Sequence, residues 1–149
     1  MISKTSSIFL DANILVYATF PGLAFFEASR SRLKEIENGG ALLWTSRQVL
    51  REFIATASRE GAVSPQPALL TIFKSVRDFE ARFEIAEDDA ATTALLLELV
   101  GSRSVRGRQV HDANIAATMR RHHIPTLLTR NTKDFVRYTP EITVMALVV

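Results

Sequence analysis

The chain has 149 residues, of which 47% are hydrophobic, and this size and composition are typical of one globular domain. It has no cysteine, which excludes disulfide bonds and thiolate metal sites, and it has no apolar run long enough to span a membrane. With 18 basic and 16 acidic residues the net charge is +2, which favours a polyanionic partner only weakly and equally fits an ordinary soluble protein.

The N-terminal segment makes a poor signal peptide, because Asp11 and Asn13 interrupt its apolar stretch. Together with the missing cysteines, this pattern predicts a cytoplasmic protein. The longest linker-like segment is Ser64–Pro67, which is short enough to be a loop. We therefore expect a single domain over residues 1–149.

Apolar strand patterns alternate with helical patterns along the chain. Strands are expected at residues 7–10, 41–45, 83–86, 124–129 and 142–149. Helices are expected at residues 23–38, 46–60 (capped by Ser46), 67–83, 87–102 and 108–123. This alternation predicts an α/β fold whose parallel sheet is covered by helices on both faces. Such sheets bind ligands beyond the carboxyl ends of their strands.

The sequence Asp-Ala-Asn-Ile occurs twice, beginning at Asp11 and at Asp112, and the surroundings of the two aspartates are informative. Asp11 follows the first strand, so it either caps the next helix or opens onto the carboxyl edge of the sheet. Asp112 shares a helical face with Ile115, Ala116 and Met119. A carboxylate on such an apolar face is costly unless it caps the helix, pairs with a charge or binds a metal.

Two further acids follow strands. Glu52 lies at the border of the apolar face of the helix after the second strand, and Asp134 follows the fourth strand together with Thr129 and Asn131. Alone, Glu52 reads as a solvated helix residue and Asp134 as part of a turn. Four carboxylates at one edge would repel by about 3 kcal/mol per pair at about 5 Å. A cation would relieve this repulsion, and an all-oxygen ligand set suits Mg²⁺ or Mn²⁺.

The chain resembles the PIN domain family, and within it the VapC-type ribonuclease toxins of VapB–VapC pairs, in the stretches FLDANILVYA, TSRQVLREF, GRQVHDANIAATM, LLTRNTKDF and ITVMALVV. The resemblance covers nearly the full length and is least informative between residues 62 and 106. It implies a three-layer α/β/α sandwich with a mostly parallel sheet of four or five strands. The family's acidic positions would fall on Asp11, Glu52, Asp112 and Asp134, and the polar residues that hold them would be Asn13, Thr129 and Asn131.

The resemblance also implies a Mg²⁺- or Mn²⁺-dependent endoribonuclease, the toxin of a type II toxin–antitoxin pair, that forms a homodimer and is blocked by a small VapB-like antitoxin. Asp11 and Asp112 would bind the metal directly, and Glu52 and Asp134 would complete its shell. Metal-activated water would cleave RNA to leave 5′-phosphate and 3′-hydroxyl ends. The candidate RNA contacts are basic residues that flank the acids: Arg103, Arg106, Arg108, Arg130 and Lys133.

Other functions stay open at this point. A PIN-domain nuclease of RNA processing or DNA repair would carry the same acids, whereas a non-catalytic PIN-like binding module would be expected to lose at least one of them. A phosphatase of the haloacid dehalogenase type would need a second acid where this chain has Asn13, and no P-loop sequence occurs.

Overall fold

The computed structural model describes residues 6–147. Its strands are β1 (Ser7–Leu10), β2 (Leu42–Ser46), β3 (Glu84–Ala86), β4 (Thr126–Thr129) and β5 (Thr143–Ala146). Its helices are α1 (Ala12–Thr19), α2 (Phe26–Asn38), α3 (Arg47–Ser58), α4 (Leu69–Arg82), α5 (Ala90–Arg103), α6 (Gln109–Arg121) and α7 (Thr132–Phe135), followed by a 3₁₀ turn at Val136–Tyr138. Residues 1–5 of the segment assessed as a signal peptide, and Val148 and Val149 of the predicted last strand, lie outside the described residues.

The five strands form one parallel sheet in the order β3-β2-β1-β4-β5, which confirms the predicted fold class. The central strand β1 pairs Phe9 with Trp44 of β2 on one side and with Leu127 of β4 on the other. The chain order therefore reverses at β1, between β2 and β4. In open parallel sheets the crevice at such a reversal, beyond the carboxyl ends of the strands, is where ligands bind.

The starts of α3 and α5 are each fixed by a polar residue at the end of the preceding strand or loop. Ser46 caps α3, as predicted, since its hydroxyl accepts the Val49 N–H at 3.3 Å. Asp89 caps α5 and forms a reciprocal capping box with Thr92. This cap explains why α5 begins at Ala90 and not at residue 87 as predicted.

The predicted helix at residues 23–38 is wrong at its start, because α2 begins only at Phe26. Residues before it form a turn in which the Phe26 N–H donates to the Leu23 carbonyl. Gly22 opens this turn and lies directly against the loop before α4, where a Cβ at this position would be 2.6 Å from the Ser64 carbonyl oxygen. The close backbone approach requires glycine at this position.

The core lies between the sheet and its covering helices. The side chains of Ile8, Phe9 and Leu10 on β1 are all buried, as expected for a strand covered on both faces. Helix α1 packs on α2 and α3, and α5 packs on α6. No helix between residues 6 and 147 combines the length and hydropathy needed to cross a membrane.

Candidate functional site

Asp11 lies at the carboxyl end of β1 and is tied to β4 as well. Its backbone N–H donates to the Leu128 carbonyl at 3.1 Å, which extends the ladder one residue beyond β1. One carboxylate oxygen accepts the Ala12 N–H at 2.8 Å and thereby caps α1. The other accepts the Thr129 hydroxyl at 2.6 Å. Asp11 thus serves as a helix cap and also stands at the edge of the sheet, so the two interpretations of its position are compatible.

Asn13 holds the same corner from the second position of α1. Its amide nitrogen donates to Asp11 at 3.2 Å and lies 3.4 Å from the Thr129 hydroxyl, and its carbonyl oxygen accepts the Arg130 N–H at 3.2 Å. The Asn131 N–H donates to the Thr129 hydroxyl at 2.9 Å. The predicted supporting residues therefore surround Asp11, although Asn131 contributes its main chain and its side chain is exposed.

The four predicted acids influence one another electrostatically. The pKa of Asp112 is raised to about 6, first by burial and then by the negative charges of Asp134, Asp11 and Glu52. Burial also raises the pKa of Glu52, and the charge of Asp11 adds to that shift. Desolvation raises the pKa of Asp11 too, although its hydrogen bonds from Thr129, Ala12 and Asn13 oppose the change. Negative charge is thus crowded at this edge of the sheet.

We define the acidic cluster as Asp11, Glu52, Asp112 and Asp134. The carboxylates of Asp112 and Asp134 are held less firmly by neighbouring groups than those of the other two. Asp112 is half-buried in the first turn of α6, and among residues 6–147 nothing donates a hydrogen bond to its carboxylate. Asp134 is exposed on α7, a short helix where the sequence predicted a turn. Its N–H donates to the Asn131 carbonyl at 3.1 Å, so the turn chemistry is present at the start of that helix.

Two residues of the site were not predicted. Gln48 is only 8% exposed, and its amide nitrogen donates to Glu52 at 3.0 Å and to the His111 carbonyl at 2.8 Å. Its oxygen accepts the Asn114 amide at 2.8 Å, and the same Asn114 nitrogen reaches Asp88 at 3.1 Å. The available signal was the spacing of Gln48 and Glu52 by four residues, which places them one above the other on α3.

The predicted RNA-contacting residues differ in whether their charged groups already contact other groups of the protein. Arg103 forms an ion pair with Glu141 and donates to the Arg137 carbonyl, so its charge is engaged within the protein. The guanidinium of Arg130 lies 3.8 Å from the centre of the Phe25 ring in a cation–π contact, and the backbone N–H of Arg130 donates to Asn13. The remaining basic residues are exposed: Arg106, Arg108 and Lys133.

The acidic cluster has the ligand chemistry of a Mg²⁺ or Mn²⁺ site, since all its donors are carboxylate oxygens. The pKa of Asp112 is raised by burial first and by the neighbouring carboxylates second, and a cation would offset both effects by stabilising the ionised form. Among the residues described, however, no three acidic, histidine or cysteine side chains converge closely enough to hold a metal ion. The donor types therefore fit such an ion, while their close convergence would require side-chain movement.

Comparison with known proteins identifies related folds. The family model of the PIN domain matches residues 8–139. A chain of VapBC2 from Rickettsia felis, solved with a DNA fragment from its promoter, aligns at a TM-score of 0.70 and 21% identity, covering 95% of this chain and 99% of that one. A chain of DNA-bound VapBC from Salmonella typhimurium aligns at a TM-score of 0.69 and 18% identity, covering 99% and 100%.

A third similar structure is VapC20 of Mycobacterium tuberculosis, described as a toxin that cleaves the sarcin–ricin loop. It aligns at a TM-score of 0.63 and 16% identity, covering 80% of this chain and 86% of that one. At these identities the likeness is one of fold. No curated protein sequence matches the chain.

Proposed function

We propose that this chain, which belongs to the PIN domain family, is a metal-dependent endoribonuclease and the toxin of a type II toxin–antitoxin pair. The observation that carries the proposal is the acidic cluster at the carboxyl edge of the sheet. Its members come from four separate segments of the chain. The charges of Asp134, Asp11 and Glu52 all add to the raised pKa of Asp112, and Asp11 and Asp134 act in the same way on Glu52 and Asp11, respectively. A protein gains nothing in stability from such crowding, so the cluster is best explained by a cation and an anionic substrate.

Within this site the residues would divide their tasks according to how firmly each is held. Asp11 is fixed by its hydrogen bonds with Ala12, Thr129 and Asn13, so its carboxylate would give the cation a rigid ligand. Asp112 accepts no hydrogen bond within residues 6–147 and is therefore free to turn toward the cation. Glu52 and Asp134 would complete the shell, directly or through water.

A bound Mg²⁺ or Mn²⁺ would supply a Lewis acid for the phosphate and lower the pKa of an attacking water. The chain's own contribution is to hold carboxylates at one edge and to orient the substrate. Exposed basic residues beside the cluster, chiefly Arg130 on the Phe25 ring, would bind neighbouring phosphates. Since the attacking group is water, cleavage would leave a 5′-phosphate and a 3′-hydroxyl end.

The solved relatives support the proposed antitoxin and the proposed class of substrate. The Rickettsia felis and Salmonella typhimurium structures are VapBC complexes, which supports a VapB-like antitoxin as the partner of this chain. The Mycobacterium tuberculosis toxin cleaves an RNA loop, which supports RNA as the substrate class. We also propose that the chain forms a homodimer and acts in the cytoplasm, as its resemblance to VapC-type toxins implies.

The proposal is tested by incubating purified chain, freed of any co-purifying antitoxin, with total cellular RNA in Mg²⁺, in Mn²⁺ and in EDTA. We expect metal-dependent cleavage that Asp11→Asn and Asp112→Asn each reduce by at least about a hundredfold. The matched control is Asp78→Asn, which removes an exposed carboxylate from α4 and should cleave as the original protein does.

The chemistry of the ends is a second test. Ligation and sequencing of the products should detect 5′-phosphate ends. A 2′,3′-cyclic phosphate product would contradict attack by water. Cleavage that persists in EDTA, or that survives both aspartate substitutions, would contradict the assignment of the acidic cluster.

A further inference from the structure

We propose that Gln48 is a positioning residue for Glu52 and ties this carboxylate to α6 at the acidic cluster. This inference rests on the proposed function, because Glu52 has a role in metal binding only if the cluster is a metal site. The site residues that the resemblance to VapC-type toxins implies do not include Gln48.

The first support is that one amide group joins the two helices α3 and α6 through three partners. The Gln48 nitrogen donates to the Glu52 carboxylate at 3.0 Å and to the His111 carbonyl at 2.8 Å. Its oxygen accepts the Asn114 amide at 2.8 Å. His111 is the residue directly before Asp112, so the same side chain touches one acid of the cluster and the backbone next to another.

The second support is that the bridge is itself anchored. The Asn114 amide nitrogen also lies 3.1 Å from the Asp88 carboxylate, in the loop between β3 and α5. Asn114 is therefore held from one side by the loop and from the other by Gln48. The line of contacts runs from Asp88 through Asn114 and Gln48 to Glu52, and it crosses from the β3 end of the sheet to the acidic cluster.

The third support is burial together with the types of atom used. Gln48 is 8% exposed, and a buried amide keeps its place only when its polar atoms are paired. The amide nitrogen donates two hydrogen bonds and the amide oxygen accepts one. Glutamate at this position would offer no donor to Glu52, and an aliphatic residue would offer neither donor nor acceptor. Glutamine thus fits all three partners.

The consequence concerns the metal site. Because the Glu52 carboxylate accepts a hydrogen bond from a buried group, its orientation toward the cluster is restricted before any cation arrives. Residues that orient metal ligands in this way typically change metal affinity tenfold to a hundredfold when removed. Gln48 would act through Glu52, with no contact of its own to the cation.

The test measures Mn²⁺ affinity by electron paramagnetic resonance of free Mn²⁺, using the full chain without antitoxin. Gln48→Met keeps the length of the side chain and removes its hydrogen bonds, and we expect it to weaken Mn²⁺ binding about tenfold. In a Glu52→Ala background the same substitution should change the affinity less than about twofold, because the residue through which Gln48 acts is gone.

The matched control is Gln66→Met. Gln66 lies in the loop before α4 and donates to the carbonyls of Ala57 and Ser58 at the end of α3. Its replacement therefore removes similar hydrogen bonds at a place away from the acids. It should bind Mn²⁺ as the original chain does. If Gln48→Met does not fold, as judged by circular dichroism, Asn114→Ala replaces it. That change removes the donor to the Gln48 oxygen and to Asp88 but keeps the hydrogen bond from Gln48 to Glu52, and we expect a loss of about threefold.

The outcomes separate this inference from the proposed function. Mn²⁺ binding that Glu52→Ala weakens and that Gln48→Met leaves unchanged would overturn the role of Gln48 and leave the metal site standing. An equal effect of Gln48→Met in both backgrounds would also overturn it, since the residue would then act without Glu52. A folded original chain that binds no Mn²⁺ would overturn the proposed function and this inference with it.

Discussion

The two Asp-Ala-Asn-Ile segments have the same four residues and opposite arrangements. In the first, Asp11 stands outside α1 as its cap, and Asn13 turns back to it at 3.2 Å. In the second, Asp112 is already inside α6 and receives no hydrogen bond within residues 6–147, while Asn114 bonds to Gln48 and Asp88. The two segments show that position relative to the helix start decides what a short sequence does.

The physical reason is the helical period. In α6 the residues Asp112 and Asn114 are both helical, so they point about 200° apart around the axis. One therefore faces the cluster while the other faces α3. Asp11 has an extended backbone, with φ −74° and ψ 159°, so its side chain folds back on the first turn of α1 and meets Asn13 there.

The largest difference that we expect between the two segments is in stability after removal of the aspartate. Asp11→Ala removes a helix cap and leaves the buried Thr129 hydroxyl without its acceptor, so it should lower the free energy of unfolding by roughly 2–4 kcal/mol. Asp112→Ala removes only a crowded charge and should leave stability unchanged or raise it. Urea unfolding at pH 7.5 measures both free energies. An equal loss of stability in the two variants would contradict the expected difference between the two segments.

The next effect concerns the surroundings of the first segment, where Arg130 rests on Phe25 and donates its N–H to Asn13. Arg130→Ala should raise the KM for an RNA oligonucleotide about fivefold to tenfold and should reduce the salt dependence of binding by about one phosphate contact. Arg59→Ala, at the exposed end of α3, is the matched control and should leave KM unchanged. A reduced kcat at unchanged KM would assign Arg130 a different role.

A smaller effect is the pH dependence contributed by the second segment. Folding raises the pKa of Asp112 to about 6 from its ordinary value of 3.8. The folded chain thus binds this proton more tightly, so the carboxylate lowers the free energy of unfolding above pH 6, and this penalty fades as the pH falls to about 4. Because Asp112 is half exposed to solvent, we expect the penalty to be only about 1 kcal/mol.

This prediction is checked with Asp112→Asn, which cannot ionise. The variant should be more stable than the original chain at pH 7.5 and equally stable at pH 4, as measured by urea unfolding at both values. If the variant and the original chain were equally stable at pH 7.5 as well as at pH 4, the ionised Asp112 carboxylate would not destabilise the folded protein.

The smallest effect is local and sharpens the difference between the two asparagines. Asn13→Ala should speed hydrogen exchange of the Arg130 amide about fivefold, because that amide loses its acceptor. Asn114→Ala should leave this amide unchanged, since Asn114 bonds elsewhere. Exchange measured by NMR distinguishes the two, and acceleration in both variants would mean that the segments are coupled.

The sequence predicted well whatever depends on one element at a time. The strand before Asp11, the cap at Ser46 and the buried face of α6 follow from local patterns. The alternation of strands and helices along the chain follows from the same patterns. The placement of Asp11 beside Thr129 could also be expected, since both end neighbouring parallel strands.

Contacts between elements could not be predicted in the same way. Gln48 and Asn114 are polar residues on two different helices, and no local pattern tells that α3 and α6 approach closely enough for their amides to meet at 2.8 Å. The turn before α2 likewise brings Gly22 against the Ser64 carbonyl, 42 residues further along the chain, which no local pattern indicates. Helix α7 was missed because Asn131 and Asp134 fit a turn equally well.

The ladder between β1 and β4 has a consequence for folding errors. It pairs Leu10 with Leu128, and the Asp11 N–H continues it to the Leu128 carbonyl, so Asp11 and Thr129 are the first side chains beyond the paired residues. A slip of one residue would turn Asp11 or Thr129 to the opposite face of the sheet and break their 2.6 Å hydrogen bond. A chain with misaligned strands would therefore lack an assembled acidic cluster, which makes correct strand alignment a condition for any activity at that edge.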